Sequence, residues 1–304
     1  MHNAPRTFLL PLVACLALAS GPLAAQARTG GPAPAVGDVP TPGAAYAGPT
    51  PAGANYAGPT YADLVDLAEG TPLVIRARIK DQARVSAERA PGLAPGFARL
   101  YIEAETLALL AGNMPFGESL RYLVDVPLDA KGKPPKLRKQ EVVLFARPVP
   151  GRPREVQLVD PRAQLAATPE LESRLRPVLA QLASADRPPV VTGVRDALSI
   201  AGTLTGESET QLFLDTADDG PVSVTVIRRP GMEPRWGVSW SEIVDQAARP
   251  PQPGTLAWYR LACALPERLP AEANLARDEE NRARAAQDYA LVIARLGPCE
   301  RNRS

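Results

Sequence analysis

"LVIRARIK", residues 73–80, alternates without a break: Leu73, Ile75, Ala77 and Ile79 fall on one side, Arg76, Arg78 and Lys80 on the other. Period-two alternation is the pattern of a strand with one face buried and one in water. Four further candidate strands follow, "ARLYIEAETLALL" (98–110), "ESLRYLVDV" (118–126), "QEVVLFARPV" (140–149) and "EVQLVD" (155–160), separated by turns that carry Gly and Pro. Ahead of the first strand, "ADLVDLAEG" (62–70) sets Leu64, Val65, Leu67 and Ala68 at helical spacing and stops at Gly70. Behind the last, "TPELESRLRPVLAQLA" (168–183) opens with Thr168 as N-cap and Pro169 at the first helical position. Pro177 is expected to kink this helix or break it in two, because it lacks an N–H and its ring clashes with the preceding turn.

Residues 61–186 therefore read as a β-rich, barrel-like domain with a helix. This element order resembles the OB-type small barrels, and the resemblance covers about 120 residues. The usual barrel carries a helix between its third and fourth strands, whereas this chain has "PLDAKGKPPKLRKQ" (127–140) there.

After the proline-stiffened junction "SADRPPVV" (184–191), residues 187–299 read as a second domain. Strands are expected around 190–199, 209–216, 221–229 and 235–240, then helices at 255–265 and 278–296. The last helix has acids at its start and Gly297-Pro298 at its end, and Ala283, Ala286, Ala290 and Ile293 form a small apolar stripe along it. Residues 300–304 read as a tail. The expected fold class is α+β: a small β-barrel-like domain, then an antiparallel-sheet domain with two C-terminal helices.

The N-terminus has the form of a secretory signal peptide over residues 1–27: Arg6, an apolar run from Phe8 to Ala19, and Ala25-Gln26-Ala27 as a small-x-small end. The run holds about a dozen residues where a spanning helix needs roughly 20, so no transmembrane segment is expected. "LVAC", ending at Cys15, resembles a lipoprotein processing site; soluble export to the periplasm or medium is the main reading and a lipid anchor through Cys15 the minor one. Residues 28–60 are almost entirely Ala, Gly, Pro and Thr, with "YAGPT" twice, and read as a disordered tether.

Export leaves two cysteines, Cys263 and Cys299, which in an oxidising compartment are expected to pair. The ring would hold about 36 residues and stabilise the fold by roughly 3.5–4 kcal/mol in the chain-entropy picture. Cys299 lies past the end of the long last helix, so the bridge calls for a crossed or near-parallel helix pair.

Catalytic options are narrow. The sole histidine is His2, inside the signal, so the exported chain lacks the imidazole for a Ser-His or Cys-His relay or a His-rich zinc site. Paired thiols leave no cysteine nucleophile, and no lysine stands at Ser-x-x-Lys spacing. Carboxylates remain. "QLFLDTADDGPVSV" (211–224) places Asp215-Thr216 like an aspartic-protease motif, but Ala217 stands where the glycine belongs. As a calcium loop the same residues fail at the third position, Ala217, and the twelfth, Val226. The plain reading is a strand ending at Asp215 and a turn at Asp218-Asp219-Gly220. No catalytic residue, metal or cofactor is assigned.

The more unusual stretch is "KGKPPKLRK" (131–139). Of the chain's five lysines, four fall here: Lys131, Lys133, Lys136 and Lys139, with Arg138 among them. Such a cation cluster suits an anionic envelope component or an acidic protein partner. A formal net charge of +1 gives no argument for nucleic acid. Trp236, Val238 and Trp240 share one strand face, read as core against the C-terminal helices before sugar stacking. In its Arg-, Ala- and Pro-rich composition and its layout the chain resembles exported proteins of GC-rich Gram-negative bacteria. The reading is a noncatalytic exported envelope protein that acts as a binding or interaction module through the basic loop; the alternative is a carboxylate-based hydrolase centred on Asp215.

Overall fold

A computed structural model describes residues 58–113, 117–242 and 248–303. The signal peptide, Cys15 and all of the tether up to residue 57 lie outside the described residues.

The alternating stretch at the start is β1 (Leu73–Arg84). It pairs antiparallel with β2 (Phe97–Ala111) on one side and with β4 (Glu141–Val149) on the other. β2 pairs with β3 (Ser119–Pro127), and β4 pairs with β5 (Arg152–Leu158). The circle closes where β3 and β5 run parallel at Arg121 and Glu155. The result is a five-stranded mixed barrel in the order β1-β2-β3-β5-β4-β1. A three-residue strand absent from the sequence reading, β6 (Gln164–Ala166), extends the β5 side along Val142–Leu144.

Alternation decides the interior. Leu73, Ile75, Ala77 and Ile79 are fully buried, as are Leu100, Ile102, Leu120 and Leu144 from the facing strands. α1 (Tyr61–Ala68) and α2 (Pro169–Ala183) contribute to the same core through Leu64, Val65, Leu171, Leu175 and Val178. Thr60 and Asp63 form a reciprocal capping box at the start of α1. Of the two outcomes expected at Pro177, the break does not occur: α2 is one continuous element. Pro177 is exposed, and the apolar contacts of Leu171, Leu175 and Val178 on the opposite side hold the helix across the missing hydrogen bond.

The second sheet contains β7 (Val191–Ala201), β8 (Ser208–Thr216), β9 (Val222–Arg228) and β10 (Arg235–Ser239), all antiparallel, in the order β10-β9-β8-β7. Leu212, Leu214, Val222, Val224, Val226, Trp236 and Val238 pack against α3 (Leu256–Ala262) and α4 (Glu279–Leu296) through Trp258, Leu261, Tyr289 and Val292. The tryptophan strand is thus core, with Trp240 partly buried at its edge.

α4 corrects the expected stripe. Ala283, Ala286 and Ala290 are exposed, and the buried line is Ala285, Asp288, Tyr289, Val292 and Leu296. Tyr289, Val292 and Leu296 remove far more apolar area from water than three methyl groups would, so they set the rotation of the helix. Asp288 is tolerated in that line because Arg228 Nε and Thr210 Oγ1 donate to its two oxygens at 2.6 and 2.5 Å.

α3 is only two turns long and lies across the C-terminal half of α4: Trp258 Nε1 donates to the Leu296 carbonyl at 2.8 Å, and Tyr289 donates to the Pro266 carbonyl at 2.5 Å. This crossing brings Cys263 and Cys299 within 5.1 Å at their Cα atoms, and they are disulfide-bonded. Tyr61 and Tyr259 touch both hydrophobic cores.

Candidate functional site

The basic stretch is the β3–β4 connection, and no helix forms there. Its backbone is nevertheless tied down along its whole length. The Asp129 carboxylate accepts the N–H groups of Lys131 and Lys133 at 2.9 and 2.8 Å, and the Asp129 N–H reaches the Lys133 carbonyl at 2.9 Å. Gly132, at φ 71°, supplies the left-handed turn inside that ring. Gln82 of β1 holds the middle: its amide oxygen accepts from the Leu137 N–H at 2.5 Å and its Nε2 donates to the Pro135 carbonyl at 2.9 Å. Leu137 itself is buried in the barrel core. At the far end the Lys139 N–H donates to the Ile79 carbonyl at 2.8 Å.

The side chains point the other way. Lys131, Lys133, Lys136, Arg138 and Lys139 are all exposed. Arg138 is the one paired member, donating to the Lys80 carbonyl and lying 3.7 Å from Asp81. Among the described residues no ion pair involves Lys131, Lys133, Lys136 or Lys139.

The barrel wall beside the loop shows the opposite arrangement. From α2 to β2 the charges form a chain: Glu172 to Arg76 at 3.1 Å, Arg76 to Glu141 at 2.6 Å, Arg78 to Glu141 at 2.6 Å, and Lys80 to Glu105 at 2.6 Å. Hydrogen bonds from Arg78 and Arg76 hold the Glu141 carboxyl below the usual carboxylate range, and Lys80 does the same to Glu105. The strand cations are neutralised in place; the four loop lysines are not.

A second feature has no signature in the sequence. Where β3 and β5 meet, pairing is confined to Arg121 and Glu155, and a groove of about 530 Å³ follows the seam. Tyr101 and Leu123 stand directly opposite each other on β2 and β3, and Leu123 is 47 % exposed. Arg99 forks onto Asp125 at 2.7 and 2.8 Å at one end of the groove, and Arg152 pairs with Glu155 at 3.0 Å at the other. Alternation alone would place Tyr101 and Leu123 outward, but only closure of the barrel puts them over the seam.

Asp215 is exposed at the end of β8, across from Gly193. Thr216 is turned inward and its hydroxyl donates to the Gly220 carbonyl at 2.8 Å, closing the turn. Among the described residues there is no group of three or more His, Cys, Asp or Glu side chains that could hold a metal ion, and no helix is long and apolar enough to cross a membrane.

A barrel capped by two helices and joined to a four-stranded sheet defines the class of fold. No protein-family model matches the chain, and no curated protein is detectably similar to it.

Proposed function

We propose that the protein is a noncatalytic binding module of the cell envelope, and that its contact is the lysine loop, 131–139. The observation that carries this reading is the contrast in charge pairing. Lysine is scarce in this chain, and arginine, whose planar fork matches carboxylates, makes most of the pairs on the barrel wall, with Lys80 on Glu105 the exception. The four loop lysines are compact point charges on a clamped backbone, free to meet an external anion. Such a set attracts an anionic lipid or polymer surface with roughly 1 kcal/mol per cation, and salt screens it. The Cys263–Cys299 bond is consistent with an oxidising compartment.

The test is binding of the purified protein to phosphatidylglycerol-containing vesicles, with phosphatidylcholine vesicles as the neutral control. Binding to the anionic vesicles should fall steeply between 50 and 500 mM NaCl, and the combined change of Lys131, Lys133, Lys136 and Lys139 to Ala should abolish it. Binding that ignores salt, or survives the fourfold change, refutes the reading.

A second ligand is favoured by the groove. The barrel's strand order resembles that of OB-type barrels, whose strand 2–3 face takes oligosaccharides and oligonucleotides. The Tyr101–Leu123 platform lies on that face, and an aromatic ring beside an exposed apolar side chain, flanked by arginines already paired with carboxylates, suits the stacking of a neutral sugar chain. Tyr101→Ala should weaken binding of such a glycan while leaving vesicle binding unchanged.

A further inference from the structure

Residues 301–303 are tied to α1 and to the barrel by hydrogen bonds. Beyond Cys299, the segment 300–303, which has no regular secondary structure, lies against α1 and the barrel. Arg301 Nε donates to Asp66 Oδ2 at 2.6 Å. The backbone N–H groups of Asn302 and Arg303 both donate to the Asp63 carboxylate, at 2.9 and 3.2 Å. Asn302 Nδ2 reaches the Gly58 carbonyl at 2.8 Å, and Arg303 Nη2 reaches the Arg162 carbonyl at 3.0 Å. Asp63 is nearly fully buried under this cover, while it also accepts the Thr60 N–H of its own capping box at 2.7 Å. Asn302 and Arg303 form one wall of a cleft of about 370 Å³ against Phe97, Val126 and Arg162.

A short segment held by a few hydrogen bonds and by solvent-accessible ion pairs, here Arg301 with Asp66 and Arg303 with Asp160, gains about as much from them as it loses in chain entropy, so such segments fray. Here the segment starts from a covalent anchor. Cys299 is bonded to Cys263 at the C-cap of α3, and α3 is in turn fixed to α1: Arg260 pairs with Glu69, and Tyr259 with Asp66. The bond is also within reach of a reductant, since both cysteines are only half-buried. Arg301 Nη1 lies 3.1 Å from Cys299 Sγ, a cation placed to stabilise a thiolate on that sulfur.

We propose that the C-terminal strap is a redox-gated latch: the Cys263–Cys299 bond keeps residues 300–303 seated on Asp63 and Asp66, and its reduction releases them. The reductant is a dithiol. One of its thiolates attacks Cys263 Sγ, the Sγ–Sγ bond breaks, and Cys299 leaves as a thiolate beside Arg301. The second thiol of the reductant then displaces the mixed disulfide. Two electrons and two protons end on the two cysteines, and the dithiol ends as its own disulfide. Release uncovers the acidic edge of α1 and widens the cleft beside Phe97 and Val126.

Hydrogen exchange on the full chain, with and without dithiothreitol under native conditions, tests the latch, with trypsin cleavage after Arg301 as a second readout. Reduction should speed exchange of the Asn302 and Arg303 amides at least tenfold and expose the Arg301–Asn302 bond, while β1 and β8 keep their protection. Cys263→Ser should show the released strap without reductant and respond no further to it. Equal protection of Asn302 and Arg303 in both redox states would overturn the proposal. So would loss of protection across β1 to β10 together, in the reduced chain or in the variant, because the bond would then be a staple for the whole fold.

Discussion

Arg260, buried on α3, forks onto the carboxylate of Glu69 at the C-terminal cap of α1, with Nη1 donating to Oε2 at 2.8 Å. Its Nε also reaches the Pro188 carbonyl at 3.3 Å, in the junction between the two sheets. One guanidinium therefore ties together the helix that caps the barrel, the linker and the helix that covers the second sheet. The two partners are not equivalent, since the Arg260 side chain is 2 % exposed and that of Glu69 33 %.

That asymmetry predicts unequal costs. Glu69→Ala strands a buried guanidinium and should destabilise by about 3–5 kcal/mol. Arg260→Met leaves a carboxylate that water can reach and fills the space with an apolar chain, so it should cost clearly less. Urea unfolding of the two variants checks the order; equal losses would mean that the pair works through packing alone.

Lys139 separates the geometry of the basic loop from its charge. It is a non-glycine residue at φ 68°, a left-handed conformation that strains an L side chain. Lys139→Gly should raise stability by about 0.5–1 kcal/mol and, on the proposed function, weaken binding to anionic vesicles. Thermal unfolding and vesicle binding should move in opposite directions.

Pro177 sits inside an unbroken helix at an exposed position. Restoring the N–H with Pro177→Ala should stabilise by about 1–3 kcal/mol, the gain in helix propensity less the greater freedom of the unfolded chain. A lower unfolding midpoint would show that the proline ring makes a contact the helix needs.

The Glu141 carboxyl, held low by Arg78 and Arg76, fixes a pH dependence. A carboxyl depressed in the folded state contributes stability that is complete above its unfolded pKa of about 4.3 and is lost as pH falls through the lower folded value. The wild-type unfolding midpoint should therefore drop below about pH 4. Glu141→Gln should be less stable at pH 7 and show a shallower acid decline. Parallel pH profiles would remove Glu141 from the acid response.

Much of this architecture is legible in the residues. The alternation of Leu73, Ile75, Ala77 and Ile79 places a strand and its buried face before any partner is known, and Thr168 and Asp278 mark helix starts that the structure keeps. Where the reading fails, a larger contact overrules a local rule: Tyr289, Val292 and Leu296 set the turn of α4 against its alanines, and core contacts carry α2 past Pro177. Of the candidate site, the cation cluster is visible as composition. Its lack of acidic partners is not, because that depends on which carboxylates the barrel brings alongside.

Period, caps and cysteine count are properties of neighbours along the chain, and the order of the longer strands and helices (though not the three-residue β6), the sulfur pairing and the lysine cluster follow from them alone. Closure of the barrel through β3 and β5, the groove under Tyr101 and Leu123, the fork of Arg260 on Glu69 and the seating of residues 300–303 on α1 arise only once the chain has folded. Each joins groups far apart in sequence, and the energy that selects them comes from burial and pairing across that distance, which no local pattern records.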